Sequence, residues 1–273
     1  MPRPSVSTLS KVPEITAAFW ITKVLTTGMG ESTSDYLVLT LGPAIAIGIG
    51  AIVFTTALVL QFRATQYVAG IYWFAVVMVS VFGTMAADVL HVGLGIPYFF
   101  STIFFAVVLA AIFAAWYLTQ RTLSIHSITT RPRELFYWAT VLTTFALGTA
   151  SGDFTAMTLQ LGFLGSGILF AVVIAVPALT WWKLRLNAIF AFWFAYVTTR
   201  PLGASFADWM AFPPARGGLD WGTGPVSIGL TIVILGFVIY LGLSRRNAVR
   251  RLALRDAQSA DWDDSRRAKL PRQ

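Results

Sequence analysis

The chain has 273 residues, of which 56% are hydrophobic and 12% charged, and its mean hydropathy is +0.71. Soluble proteins carry about a quarter charged residues, so this composition excludes an ordinary soluble domain and predicts an all-α membrane protein. The absence of cysteine and the presence of only two histidines exclude disulfides, thiolate metal sites and histidine-rich zinc sites. The net charge of +8 lies mainly at the ends of apolar stretches and in the C-terminal tail, which indicates membrane orientation and not nucleic-acid binding.

Apolar stretches recur along the chain, and each is long enough to cross about 30 Å of hydrocarbon as a helix. We predict eight transmembrane helices, at residues 14–36, 38–62, 67–90, 96–120, 133–155, 158–182, 187–211 and 224–244. Pairs of these helices form four units, at 14–62, 67–120, 133–182 and 187–244, between an N-terminal segment at 1–13 and a charged tail at 245–273. The first residues lack the apolar core and cleavage site of a signal peptide, so the first helix is expected to be its own anchor.

Basic residues alternate between the connections. Those after the second, fourth, sixth and eighth helices contain Arg63, Arg121, Arg131, Arg133, Lys183, Arg185, Arg245, Arg246, Arg250 and Arg251. The other four connections contain a single basic residue, Arg216. The positive-inside rule therefore predicts that both termini and the even-to-odd loops are cytoplasmic, and that the odd-to-even turns face outward.

One spaced motif, W-x9-G-x4-D, occurs four times, once in each odd-numbered helix. Its members are Trp20, Trp73, Trp138 and Trp193, then Gly30, Gly83, Gly148 and Gly203, then Asp35, Asp88, Asp153 and Asp208. Because each unit crosses the membrane twice, the copies share one orientation and predict parallel repeats about an axis along the membrane normal. The odd helices are expected inside a pseudo-symmetric bundle and the even helices outside. Tryptophan suits the interfacial aromatic belt, and glycine allows helices to approach closely.

The repeated aspartates are the predicted functional residues. Each lies about 22 Å beyond its tryptophan along a helix, which places it toward the outer face of the membrane. A carboxylate within the membrane costs several kcal/mol, so four at one repeated position indicate a shared site or pathway. The alternative interpretation is that each aspartate caps the even helix that follows.

Side chains one helical turn before the aspartates differ between the copies. These positions contain Glu31, Thr84, Thr149 and Ala204. We predict a metal site that comprises Glu31, Asp35, Asp88, Asp153 and Asp208, with hydroxyl oxygens of Thr84 and Thr149 in support. His91 is either a nitrogen ligand or a surface residue.

Two cations lie within the odd helices. Lys23 is expected to extend its side chain to the cytoplasmic surface. Arg200 lies deeper, and we expect it either to neutralise one carboxylate of the set, Asp208 in particular, or to act as a tethered cation that releases a transported ion.

The fourfold motif and the KVPEIT sequence before Trp20 resemble a bacterial group of membrane proteins with four tandem two-helix repeats, each with a characteristic tryptophan. The resemblance covers about residues 11–244. It implies an eight-helix protein of the bacterial inner membrane and a role in exporting a divalent metal, manganese in particular. It supplies no catalytic residues.

These observations predict a transporter of a small divalent cation, with Mn²⁺ favoured. Carboxylate and hydroxyl oxygens suit Mn²⁺, Mg²⁺ or Ca²⁺. Because no nucleotide-binding motif is present, protons are the expected coupling ion. We expect no resident cofactor and no enzymatic activity, since no catalytic spacing occurs. The alternatives are a membrane scaffold that acts through its tail, and an organic-cation transporter.

Overall fold

A computed structural model describes residues 10–184 and 187–268, with side chains for 10–176 and 187–247. Residue 185, the side chains of residues 183, 250 and 251, and the ends of the N-terminal segment and tail lie outside these descriptions. The described chain is helical and contains no strand, which confirms the predicted all-α class. The helices are α1 Ala17–Leu41, α2 Pro43–Arg63, α3 Ala69–Asp88, α4 Tyr98–Gln120, α5 Arg131–Asp153, α6 Gly162–Leu184, α7 Ala188–Ala211 and α8 Thr223–Ala268.

Local sequence sets several of these boundaries. The side chain of Thr16 caps α1 by accepting a hydrogen bond from the backbone of Phe19 at 3.2 Å. Gly42 has a φ of +79°, which suits glycine, and it separates α1 from Pro43 at the start of α2. The last helix continues through most of the predicted tail to Ala268, because residues 245–268 contain no glycine or proline and many good helix formers.

Four helices within the described residues are long and apolar enough to cross a membrane. They are α2, α3 with its continuation to Gly93, α4, and the part of α8 at Thr223–Asn247. A shorter apolar stretch in α6 covers Gly162–Val176. The helices α1, α5 and α7 contain most of the charged residues of the bundle interior, which lowers their apolar character. Eight crossings therefore remain a prediction.

The odd helices form a closed central ring. Each packs against the next odd helix in chain order, and α7 packs back against α1. The even helices lie outside, and each packs against the odd helix of the following repeat: α2 on α3, α4 on α5, α6 on α7 and α8 on α1. Their outer faces expose large apolar side chains, for example Ile52, Phe100 and Ile232. This is the pseudo-symmetric arrangement of four two-helix repeats that the sequence predicts.

The repeated glycines lie where neighbouring odd helices touch. A Cβ added to Gly30 would lie 1.8 Å from Ser80 Oγ on α3, and one added to Gly83 would lie 2.8 Å from Phe145 Cβ on α5. A Cβ added to Gly148 would lie 2.1 Å from Arg200 Cγ on α7, and one added to Gly203 would lie 1.9 Å from Thr27 Oγ1 on α1. Each glycine therefore allows contact with the next helix of the ring, and the fourth one closes it.

Candidate functional site

Residues at four-residue intervals on the odd helices face the axis of the ring. Counted from each tryptophan, these are positions +3, +7, +11 and +15, which lie close to one helical face. The aspartates occupy +15, and we call the end of the bundle that contains them the acidic end. The opposite end, which contains the tryptophans, is the aromatic end.

Arg200 connects all four odd helices below the acidic end. Its side chain is fully buried, and it donates hydrogen bonds to the Thr27 carbonyl at 3.2 Å and to Thr149 Oγ1 at 2.7 Å. It also forms an ion pair with the Glu31 carboxylate and a hydrogen bond with the Thr84 hydroxyl. Arg200 thus neutralises one carboxylate of the predicted set, as expected, and that carboxylate is Glu31. The more specific expectation of a pair between Arg200 and Asp208 is wrong. Both residues lie on α7, about two turns apart, and the arginine side chain instead extends across the axis toward α1.

The predicted carboxylates gather at the acidic end, but in two clusters. One ligand atom from each of Asp88, His91 and Asp153 lies within 4.8 Å of the others, and the same holds for Glu31, Asp35 and Asp208. The first cluster joins α3 to α5, and the second joins α1 to α7. The structure therefore brings together every predicted metal ligand and divides them between two sides of the axis.

The helix-cap interpretation of the aspartates fails where the caps are described. The residue that caps α2 is Gly42, and the residue that caps α4 is Pro97; neither helix has a side-chain cap. Asp35 and Asp88 lie within or at the end of α1 and α3 instead. Across the described residues, the four repeated aspartate side chains form no hydrogen bond or ion pair with the protein.

Two helices of the ring widen directly after their aspartates. Beyond Asp88 and Asp153, α3 and α5 continue as single π-helical turns, at Val89–Gly93 and Phe154–Thr158. Such turns often occur at functional sites. The first one contains His91, whose ring is buried and lies beside the Tyr98 ring with the centroids 4.5 Å apart. No pattern in the sequence predicted these turns.

Lys23 also faces the axis, contrary to the prediction that its side chain reaches the surface. It is 1% exposed, and its Nζ lies 4.0 Å from the ring centroid of Phe145 and 4.3 Å from that of Tyr196. Its ammonium has no hydrogen-bond partner among the described residues. At position +3 the side chain points into the ring of helices, so aromatic faces surround it instead of water.

Aromatic side chains close the ring at the aromatic end. A phenylalanine or tyrosine precedes each repeated tryptophan, and it contacts the tryptophan of the next repeat. The four contacts, with their centroid distances, are Phe19–Trp73 at 5.7 Å, Tyr72–Trp138 at 5.7 Å, Tyr137–Trp193 at 6.2 Å and Phe192–Trp20 at 5.6 Å. We call these eight residues the aromatic collar. The aromatic-belt interpretation is wrong for Trp73, Trp138 and Trp193, which are buried in this core.

A buried network of hydrogen bonds and one ion pair connects the N-terminal segment, at Ser10 and Lys11, to the bundle. Lys11 Nζ lies 2.6 Å from Glu134 Oε2, and Gln61 donates to Glu134 Oε1 at 3.1 Å. The backbone of Lys11 donates to the carbonyl of Ile128, and that of Tyr67 donates to the carbonyl of Ser10, each at 3.2 Å. This segment therefore joins the α2–α3 and α4–α5 connections. Sequence reasoning missed it because the contacts join residues far apart in the chain.

A closed ring of four related helices, with membrane-type helices outside it, defines an all-α protein of the membrane class built from four tandem repeats. The family model described as Repeat of Unknown Function (DUF347) matches residues 18–67, 71–122, 136–187 and 191–247, and the chain belongs to this family. The match confirms the four predicted repeats. No curated protein and no solved structure matches the chain.

Proposed function

We propose that the protein transports a small divalent cation across the bacterial inner membrane, with Mn²⁺ as the favoured ion and export as the direction. The observation that carries this proposal is the convergence of five carboxylates at one end of a closed helical ring. Both termini would be cytoplasmic, so the acidic end would face outward. All eight helices would then cross the membrane.

The balance of charge in the bundle interior favours a cation as the substrate. The five carboxylates of the two clusters face the two buried cations Lys23 and Arg200, which leaves a formal charge of −3 (5 negative, 2 positive). Burial of unpaired charge is costly, and a merely structural acidic residue normally has a hydrogen-bonded partner. The four aspartates have none among the described residues, and a bound divalent cation would compensate much of their charge.

The route between the two ends suggests how transport would proceed. Below the acidic end, the Arg200–Glu31 pair and Lys23 occupy the axis, and the aromatic collar follows. An ion reaches the far side only if the pair separates and the collar opens, which is the behaviour of an alternating-access carrier. Carboxylates that bind either metal or protons would couple the two fluxes.

The proposal is tested by flux into liposomes that contain purified protein and a metal-sensitive fluorescent dye. Wild-type protein is expected to admit Mn²⁺, and Asp88→Asn and Asp153→Asn are expected to reduce this flux at least about tenfold, because each removes a ligand charge. Asp220→Asn is the matched control. Asp220 is exposed in the α7–α8 connection with a φ of +62°, a conformation that asparagine also tolerates.

The same assay separates the alternatives. Normal Mn²⁺ flux in the combined Asp35→Asn, Asp88→Asn, Asp153→Asn and Asp208→Asn variant would refute the carboxylate pathway. Absence of flux for Mn²⁺, Mg²⁺, Ca²⁺ and Zn²⁺ in the wild type would refute metal transport. Uptake of a dye-like organic cation in that case would indicate organic-cation transport, and absence of all flux would favour a scaffold.

A further inference from the structure

The contacts of His91 favour one protonation state of its two ring nitrogens. His91 Nε2 lies 2.6 Å from Ser101 Oγ, and Ser101 Oγ lies 3.0 Å from the carbonyl oxygen of Tyr98. A carbonyl only accepts, so the single hydroxyl proton of Ser101 is donated to Tyr98. In the tautomer that satisfies both contacts, the hydroxyl accepts from His91 and Nε2 carries the proton. Nδ1 is left with a free lone pair.

That lone pair is buried beside two carboxylates. His91 is only 7% exposed, and its Nδ1 has no hydrogen-bond partner within the described chain. One ring nitrogen of His91 and one oxygen each of Asp88 and Asp153 lie within 4.8 Å of one another, and Nε2 is already engaged. With both carboxylates ionised, three groups that accept hydrogen bonds thus converge, and a bound cation would interact favourably with all of them.

This nitrogen is unique among the repeats. The positions three residues after the other aspartates contain Val38, Ala156 and Ala211. The second cluster has oxygen ligands alone, and its Glu31 is already paired with Arg200. The two clusters therefore differ in their ligand atoms, and only the second cluster has a carboxylate charge neutralised by an ion pair among the described residues.

We propose that Asp88, His91 and Asp153 form the metal-selecting site, which binds a divalent first-row transition metal through Nδ1 and carboxylate oxygens in preference to Mg²⁺ and Ca²⁺. This rests on the proposed function and names its ligands. A nitrogen ligand favours transition metals, whereas Mg²⁺ and Ca²⁺ prefer oxygen alone. A histidine that binds a metal usually donates its other ring N–H to a hydrogen-bond acceptor, and the Ser101 hydroxyl is that acceptor here.

The test is Mn²⁺ binding to the purified full chain in detergent, followed by electron paramagnetic resonance. Wild-type protein binds Mn²⁺ at least about tenfold more tightly than Ca²⁺, and the bound ion shows hyperfine coupling to ¹⁴N. His91→Asn reduces Mn²⁺ affinity about tenfold, leaves Ca²⁺ affinity nearly unchanged and abolishes the nitrogen coupling. His126→Asn is the matched control, since His126 is exposed in the α4–α5 connection and its replacement changes none of these readings.

Isotope labelling keeps the test decisive if His91→Asn does not fold. His91 is the sole histidine of the His126→Asn variant, because the chain has two. Growth with ¹⁵N-histidine then converts the ¹⁴N coupling into a ¹⁵N pattern if His91 binds the ion. Bound Mn²⁺ whose spectrum shows no histidine nitrogen would overturn the site. Mn²⁺ bound through His91 without flux in liposomes refutes transport alone, and flux without nitrogen coupling refutes this site alone.

Discussion

Single replacements of Arg200 and of Glu31 should lower the stability of the protein by different amounts. Both side chains are buried at the centre of the helix ring. Loss of one member of a buried ion pair costs about 3–5 kcal/mol, because it leaves an uncompensated charge. The surroundings of the remaining charge decide where in this range each variant falls.

Glu31→Gln should lie near the lower end, at about 3 kcal/mol. Arg200 keeps the Thr27 carbonyl and the hydroxyls of Thr84 and Thr149 as acceptors. The change also removes a negative charge from the cluster that contains Asp35 and Asp208.

Arg200→Gln should lie near the upper end, at about 5 kcal/mol. Glu31 then keeps one hydrogen bond, from Thr84 at 3.3 Å, while Asp35 and Asp208 still face it. The double variant contains two neutral amides at these positions, so it should be less destabilised than Arg200→Gln alone.

The free energy of unfolding is measured by titrating sodium dodecyl sulfate into mixed micelles and following tryptophan fluorescence, since the chain has ten tryptophans. The double-mutant cycle should show that the double variant loses less stability than the sum of the two single losses. Equal losses in the two single variants would contradict the predicted inequality, and a double variant that equals their sum would show that the charges do not interact in the folded protein.

Two further variants test the helix ring and the N-terminal segment in the same titration. Gly203→Ala would place a Cβ 1.9 Å from a threonine hydroxyl and 2.8 Å from a carbonyl oxygen of α1, so it should cost at least about 1–3 kcal/mol, whereas Gly48→Ala meets no atom within 4 Å and should be neutral or stabilising. Equal stability of the two would contradict the closed ring. Glu134→Gln should cost about 3 kcal/mol because it leaves Lys11 without its buried partner. The exposed Glu14→Gln should have no effect, and a similar loss there would argue against the network.

The sequence predicted the repeats, the helices and the candidate ligands because each depends on periodic or local information. The fixed spacing of tryptophan, glycine and aspartate was enough to place four aspartates at one end of a ring. It was not enough to predict the partner of Arg200, which depends on how far a long side chain reaches across the axis. The aromatic residue before each tryptophan was visible as a repeated pair, and it would have indicated a core position instead of a membrane interface.

The residues that pack neighbouring helices together are repeated in all four units of the chain, whereas the axial residues one and two helical turns before the aspartates are not. The glycines and aromatic pairs recur because a closed ring needs the same contact at each of its four helix interfaces. The axial positions between them differ from repeat to repeat: Glu31, Thr84, Thr149 and Ala204 share one level, and Thr27, Ser80, Phe145 and Arg200 share the level below. Four identical carboxylates at an inner level would repel one another within a low-dielectric interior. A single glutamate paired with a single arginine avoids that cost, and the resulting asymmetry leaves Asp88, His91 and Asp153 as the cluster that forms no ion pair in the described part of the chain.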